Sequence, residues 1–124
     1  MIIVDSNVWI ADFFADDGLH ENARRTLELL TEGILLPLCV LQEVVGFVQN
    51  RMGKREANKI LHILTTSTHV EILIDDREEW QAIFCLYLSN HSNKLSFVDH
   101  YLLYASEKYP VVTFDKALAK RIKM

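Results

Sequence analysis

Apolar positions along the chain switch repeatedly between a continuous or strand-like pattern and helical spacing. Met1 to Val4 is a short, β-branched apolar run of the kind buried on both faces of a sheet, and it stops at Asp5. Asn7 to Phe14 then carries Val8, Trp9, Ile10, Phe13 and Phe14 at helical spacing, ended by the turn Asp16-Asp17-Gly18. Leu19 to Thr31 predicts a second helix, with Ala23, Leu27 and Leu30 on one stripe and Gly33 beyond its end. Ile34 to Pro37 predicts the next strand. Cys39 to Met52 predicts a helix with Val40, Leu41, Val44, Val45 and Val48 inward, and Gly53 separates it from another over Lys54 to Thr66. Val70 to Ile74 predicts a third strand. A helix capped at Asp75-Asp76 runs through Ser89 with Trp80, Ile83, Phe84, Tyr87 and Leu88 on its stripe. A polar loop over Ser89 to Lys94, a helix over Phe97 to Lys108, a buried strand over Val111 to Phe114 and a short helix from Lys116 complete the chain.

Strands joined by helical crossovers imply an α/β sandwich: three layers, with a mainly parallel sheet of four to five strands flanked by helices. The 124 residues, half of them apolar and 24% charged, suit one domain over 1–124 with one core. The longest apolar run, Ile34 to Leu41, contains Pro37 and is eight residues long, against the roughly 20 needed to span a bilayer. No membrane partner is expected. The start at Met1-Ile2-Ile3-Val4-Asp5 has no basic leader, so the expected location is the cytoplasm. Cys39 and Cys85 read as two reduced core thiols. The net charge of −4 argues against a protein that grips nucleic acid with its whole surface. Local basic patches remain: Arg51, Arg55 and Lys59 would form one ridge if the chain ran straight through Gly53, and Lys116, Lys120, Arg121 and Lys123 cluster at the end.

In an open parallel sheet, ligands bind beyond the carboxyl ends of the strands. Asp5 follows the first strand and Asp115 the last, each also readable as a helix N-cap. Glu43 falls at the margin of the Val40-Val44-Val48 stripe, which predicts a half-buried carboxylate. Asp99 fits a capping box begun by Ser96, a reading that needs no function. The acidic group Asp75, Asp76, Glu78 and Glu79 reads as capping only. The histidines show no metal-ligand spacing, though His100 stands beside Asp99. No Gly-rich phosphate loop, Cys-x-x-Cys pair or Ser-His-Asp order is present. That leaves carboxylates, which repel one another when gathered unless a hard cation sits among them.

As a set, Asp5-Ser6-Asn7, Glu43, Leu95-Ser96-Phe97-Val98-Asp99 and Val112-Thr113-Phe114-Asp115-Lys116 resemble the PIN-domain ribonucleases, in particular the small stand-alone VapC-type toxins of toxin–antitoxin pairs. The resemblance implies a PIN-like fold and an endoribonuclease dependent on Mg²⁺ or Mn²⁺. Its acidic metal-binding and catalytic residues would be Asp5, Glu43, Asp99 and Asp115, supported by Ser6, Asn7 and Thr113. It also implies an RNA substrate and a cognate antitoxin, and a homodimer is expected because so small a chain, half of it apolar, leaves apolar surface for another copy to cover. His100 departs from the family, which usually has a small residue there. Two alternatives stay open: a PIN-like module that binds RNA or protein without cleaving, and a receiver-like phosphoacceptor domain.

Overall fold

A computed structural model describes residues 1–91 and 93–123, the side chain of Lys123 excepted. The loop expected over 89–94 includes Ser92, which lies outside the described residues. Elements follow the alternating pattern: β1 (Ile2–Val4), α1 (Ser6–Phe13), α2 (His20–Leu29), β2 (Ile34–Pro37), α3 (Leu38–Met52), α4 (Lys54–Thr66), β3 (Val70–Leu73), α5 (Arg77–Ser89), α6 (Phe97–Ala105), β4 (Val111–Val112) and α7 (Lys116–Lys123). The four strands form one parallel sheet in the order β3-β2-β1-β4. The chain steps outward from β1 to β3 through α1 to α4, then returns across the sheet to β4 through α5 and α6. With right-handed crossovers, that reversal places the two sets of helices on opposite faces. Packing agrees, since α1 lies against α2 and α3, α3 against α4, and α6 against α5 and α7.

Ile3 and Val4 of β1 and Leu35 and Leu36 of β2 are buried between these layers, against Val8, Val40, Val44, Ile83, Leu102 and Leu118 of the helices. β4 is two residues shorter than its apolar pattern predicts. Its ladder with β1 ends at Val4 and Val112, where the Asp5 N–H reaches Val112 O at 2.9 Å, and Thr113 and Phe114 turn their polar groups to side chains.

Three surface features differ from the sequence pattern. Only Ile83 of the α5 stripe is fully buried: Phe84, Tyr87 and Leu88 are exposed, and so is Cys85, which is no core thiol. Among the described residues, Phe97 and His100 of α6 pack against that flank and cover it only in part. Gly53 adopts φ 95°, the left-handed region open to glycine, and turns the chain between α3 and α4. The basic ridge is therefore broken: Arg51 pairs with Asp16 at 2.6 Å and lies over Phe14, while Lys59 pairs with Glu56 at 3.1 Å within α4.

Candidate active site at the carboxyl ends of the strands

β1 turns to one side of the sheet and β4 closes the other, so the crevice between their carboxyl ends is the topological switch point where open α/β sheets bind ligands. Asp5 stands there, only 4% exposed. Its backbone is extended, and its Oδ1 accepts the Ser6 N–H at 2.7 Å as the N-cap of α1. Its Oδ2 accepts the Thr113 hydroxyl at 2.8 Å. The same Thr113 oxygen accepts from Asn7 Nδ2 at 3.2 Å and from the Asp115 N–H at 3.1 Å, and Asn7 Oδ1 accepts the Phe114 N–H at 3.1 Å. Ser6, Asn7 and Thr113 thus tie the start of α1 to the end of β4 around one carboxylate.

Burial lifts the Asp5 carboxyl from its ordinary 3.8 to about 6. The Thr113 hydroxyl and the Ser6 amide pull it back down, and the charges of Asp99 and Glu43 push it further up. Three of the four expected carboxylates are therefore close enough to repel. Asp99 is half-buried in the first turn of α6 and does make the capping box: Oδ2 accepts the Ser96 N–H at 2.9 Å, and Ser96 Oγ accepts the Asp99 N–H at 3.1 Å. Cap and site are not exclusive, because the box engages only one of its two oxygens. Asp115 is linked to the site by its backbone N–H, which donates to Thr113. Its own Oδ1 accepts the Ala117 and Leu118 N–H groups at 2.9 and 3.1 Å, at the start of α7.

Glu43 is exposed, not half-buried. The reason is an open groove of about 430 Å³ along its side of α3, whose other walls include Cys39, Asp75, Trp80, Phe97 and Val98. Asp75 was missed as a member of this surface. Asp76, not Asp75, caps α5, accepting the Glu79 N–H at 2.9 Å, while Asp75 accepts the hydroxyl of buried Tyr101 and lines the groove. Its carboxyl is raised, chiefly by burial. The signal that flagged Asp5, a carboxylate just past a strand, applies equally to Asp75. Cys39 is pushed up to about 12, first by burial and then by Glu43 and Asp75, so it remains a neutral thiol.

His100 takes no part in the crevice. It is buried with Nδ1 2.7 Å from Ser96 O and Nε2 2.9 Å from Asn90 Nδ2, and Tyr87 stands edge-on at 4.9 Å. A carbonyl only accepts, so Nδ1 carries the proton, and Nε2 accepts from the Asn90 amide. Its bulk is spent between α5 and α6, away from Asp99.

Among the described residues no three Asp, Glu, His or Cys side chains are gathered tightly enough to hold an ion unaided. Mg²⁺ commonly uses one or two carboxylates and completes its shell with water and substrate phosphate oxygens. A buried Asp5 under pressure from Asp99 and Glu43 matches that need, with oxygen donors only, and Glu43 lines the open groove beside it. The residues fit a hard divalent cation shared with water and a phosphodiester.

No curated protein sequence matches the chain significantly. Among solved structures, it is similar to the crystal structure of Mycobacterium tuberculosis VapC20 (Rv2549c), described as a sarcin-ricin loop cleaving toxin, at 23% identity and a TM-score of 0.86 over 97% of this chain and 94% of that one. Such a likeness carries the fold, and the four-stranded parallel order leaves no place for a receiver-like arrangement. The PIN domain family profile matches residues 2–123, from the first strand through the terminal helix. The chain belongs to the PIN domain family.

Proposed function

We propose that the chain is a single nuclease domain over 1–124, an endoribonuclease dependent on Mg²⁺ or Mn²⁺ that cuts single-stranded or loop RNA, and the cytoplasmic toxin of a type II toxin–antitoxin pair. The observation that carries this is Asp5: a carboxylate at the switch point, fixed by Thr113 and raised first by burial and then by the charges of Asp99 and Glu43. Asp5 and Asp99 are the principal ligand candidates, with Glu43 and Asp115 completing the acidic rim. Bound there, a divalent ion supplies an activated water and neutralises charge on the phosphoryl oxygens. Thr113 and Ser6 hold both Asp5 oxygens in one orientation, and Asn7 locks Thr113 in turn. Raised but still below neutral pH, the Asp5 carboxyl is ionised and able to bind a cation under cellular conditions.

RNA as the substrate class and an antitoxin as partner are supported by family membership and by the described activity of the similar toxin. A homodimer is supported by the exposed α5 flank, where Phe84, Tyr87 and Leu88 stand beside exposed Phe97. The test is cleavage of total RNA with Mg²⁺, with Mn²⁺ and in chelator, by wild type and by Asp5→Asn. Metal-dependent fragments from wild type alone support the reading. RNA binding with no cleavage under any of these conditions supports the non-catalytic module instead.

A further inference from the structure

Four cationic side chains surround a second concavity, next to the acidic crevice but separate from it. This pocket, about 330 Å³, is lined by Lys94, Leu95, Lys116, Ala117, Lys120 and Arg121, with no Asp or Glu in its wall. Both walls run directly into the candidate site: Lys116 follows Asp115, and Leu95 precedes Ser96, whose capping box contains Asp99. Leu118 anchors α7 in the core, which leaves Lys116, Lys120 and Arg121 exposed on its outer side. Among the described residues no carboxylate forms an ion pair with these three. Elsewhere Arg51, Lys59 and Lys108 are each matched by an acid, and Arg24, Arg25, Lys54, Arg55 and Arg77, which form no ion pair among the described residues, do not line this pocket. On a chain of net charge −4, Lys116, Lys120 and Arg121 gathered at one pocket leave a local positive field where the overall field is negative.

We infer that this pocket holds the phosphate backbone of the RNA strand where it enters or leaves the acidic crevice. The inference rests on the nuclease reading above and adds the surface that keeps a polyanion beside a cluster of carboxylates that would otherwise repel it. Lys116 and Lys120 stand one helical turn apart, about 6 Å along the axis from the rise per residue, a separation that lets them meet successive phosphates. Flexible lysines read charge and not sequence, so the contact is to backbone and is shared by single-stranded DNA.

The test measures binding of a fluorescein-labelled single-stranded RNA oligonucleotide by anisotropy in chelator, where no cleavage occurs, across a salt series. Three proteins are compared with wild type: K116Q/K120Q/R121Q, the double variant K120Q/R121Q that leaves the neighbour of Asp115 untouched, and K54Q/R55Q/K59Q on α4. The last removes the same charge from a remote face. If each cation neutralises one phosphate, the log–log salt slope falls by about 2 for the triple and about 1.4 for the double variant, and affinity near 0.1 M salt falls by up to about 100-fold for the triple. The α4 variant should keep the wild-type slope. Equal losses for the two triple variants, an unchanged slope for the pocket variants, or no RNA binding by wild type would each overturn the inference. So would a poly-glutamate peptide losing affinity for the pocket variants while RNA does not, which assigns the pocket to an acidic protein segment. The nuclease reading is judged separately: wild type that cleaves while the pocket variants bind normally refutes only the pocket, and a slope that falls for a protein that never cleaves refutes only the nuclease.

Discussion

Replacing Asp5 by Asn should abolish activity and yet stabilise the metal-free protein at neutral pH. A carboxyl lifted from 3.8 to about 6 makes the ionised native state about 3 kcal/mol less favourable than an unperturbed carboxylate, at 1.36 kcal/mol per pH unit. The sign follows from linkage. Native Asp5 takes up its proton more readily than unfolded Asp5, so its stabilising contribution is complete below 3.8 and is lost as pH rises through about 6. Between about pH 7.5 and about pH 5, this one group should add about 1.4 kcal/mol to wild-type stability. Asparagine keeps an oxygen for the Ser6 N–H, but its amide faces a Thr113 hydroxyl that has lost its acceptor, at a cost of about 1 kcal/mol. The net expectation at neutral pH is a gain of about 1–2 kcal/mol, or a rise in Tm of about 5 °C for a domain of this size. Asp12 and Asp75 are also raised and Glu79 is lowered, so the wild-type profile alone is not diagnostic. The difference between the two proteins isolates Asp5. Melting curves in chelator across that pH range, paired with RNA cleavage in Mn²⁺, make the assay. Parallel pH profiles, or a variant less stable at every pH, would refute the burial argument, and cleavage within about 100-fold of wild type would refute the site.

Thr113→Val strands Asp5 Oδ2, Asn7 Nδ2 and the Asp115 N–H together, and should cost about 2–3 kcal/mol in urea denaturation and reduce cleavage, with Thr113→Ser restoring both. Asp99→Asn retains an oxygen for the Ser96 N–H while removing a charge that presses on Asp5, so its Tm in chelator should not fall below wild type. Wild type at ten times the dissociation constant of Mn²⁺ should gain roughly 1.4 kcal/mol, and a full metal shift in Asp99→Asn would remove Asp99 from the site. Tyr101→Phe deprives half-buried Asp75 of its donor and should cost about 1–2 kcal/mol, read by denaturant titration. Phe84→Glu should shift the light-scattering mass toward monomer, and an unchanged dimer would place the self-association surface elsewhere.

Fold and site were legible to different depths. Element order followed from period switches, because strands buried on both faces read as short apolar runs and helices as stripes. Where the reading slipped, long-range geometry decided. Thr113 and Phe114 look like strand but lie past the last rung that β1 offers, so their bonds go to Asp5 and Asn7. The α5 stripe looks like core, yet α6 covers it only in part through Phe97 and His100, and Phe84, Tyr87 and Leu88 stay exposed. Arg51, Arg55 and Lys59 keep a helical spacing across a glycine that turns the chain. Strand-end placement singled out Asp5 and Asp115, whereas first-turn charge preference hid Asp75, which lines the groove, among true caps. Its partner Tyr101 lies in another helix, at a separation no local pattern reveals.

The carboxylates of this crevice cannot be told from caps by their local bonds, and the reason lies in the topology. In a parallel α/β sheet the residue that ends a strand often begins a helix, so a side chain that caps the helix also faces the carboxyl-end crevice. Asp5 and Asp76 each accept a first-turn N–H at a helix start, Asp5 from Ser6 and Asp76 from Glu79. Asp76 is exposed and off the switch point, whereas Asp5 is 4% exposed and directly on it. A neutral side chain at this position would carry no buried negative charge for Asp99 and Glu43 to repel. As a cap alone, Asp5 is a poor choice by about 3 kcal/mol at neutral pH. That unfavourable charge has a physical rationale only if something positive offsets it when the protein works, and strain of this kind gathers where chemistry is done.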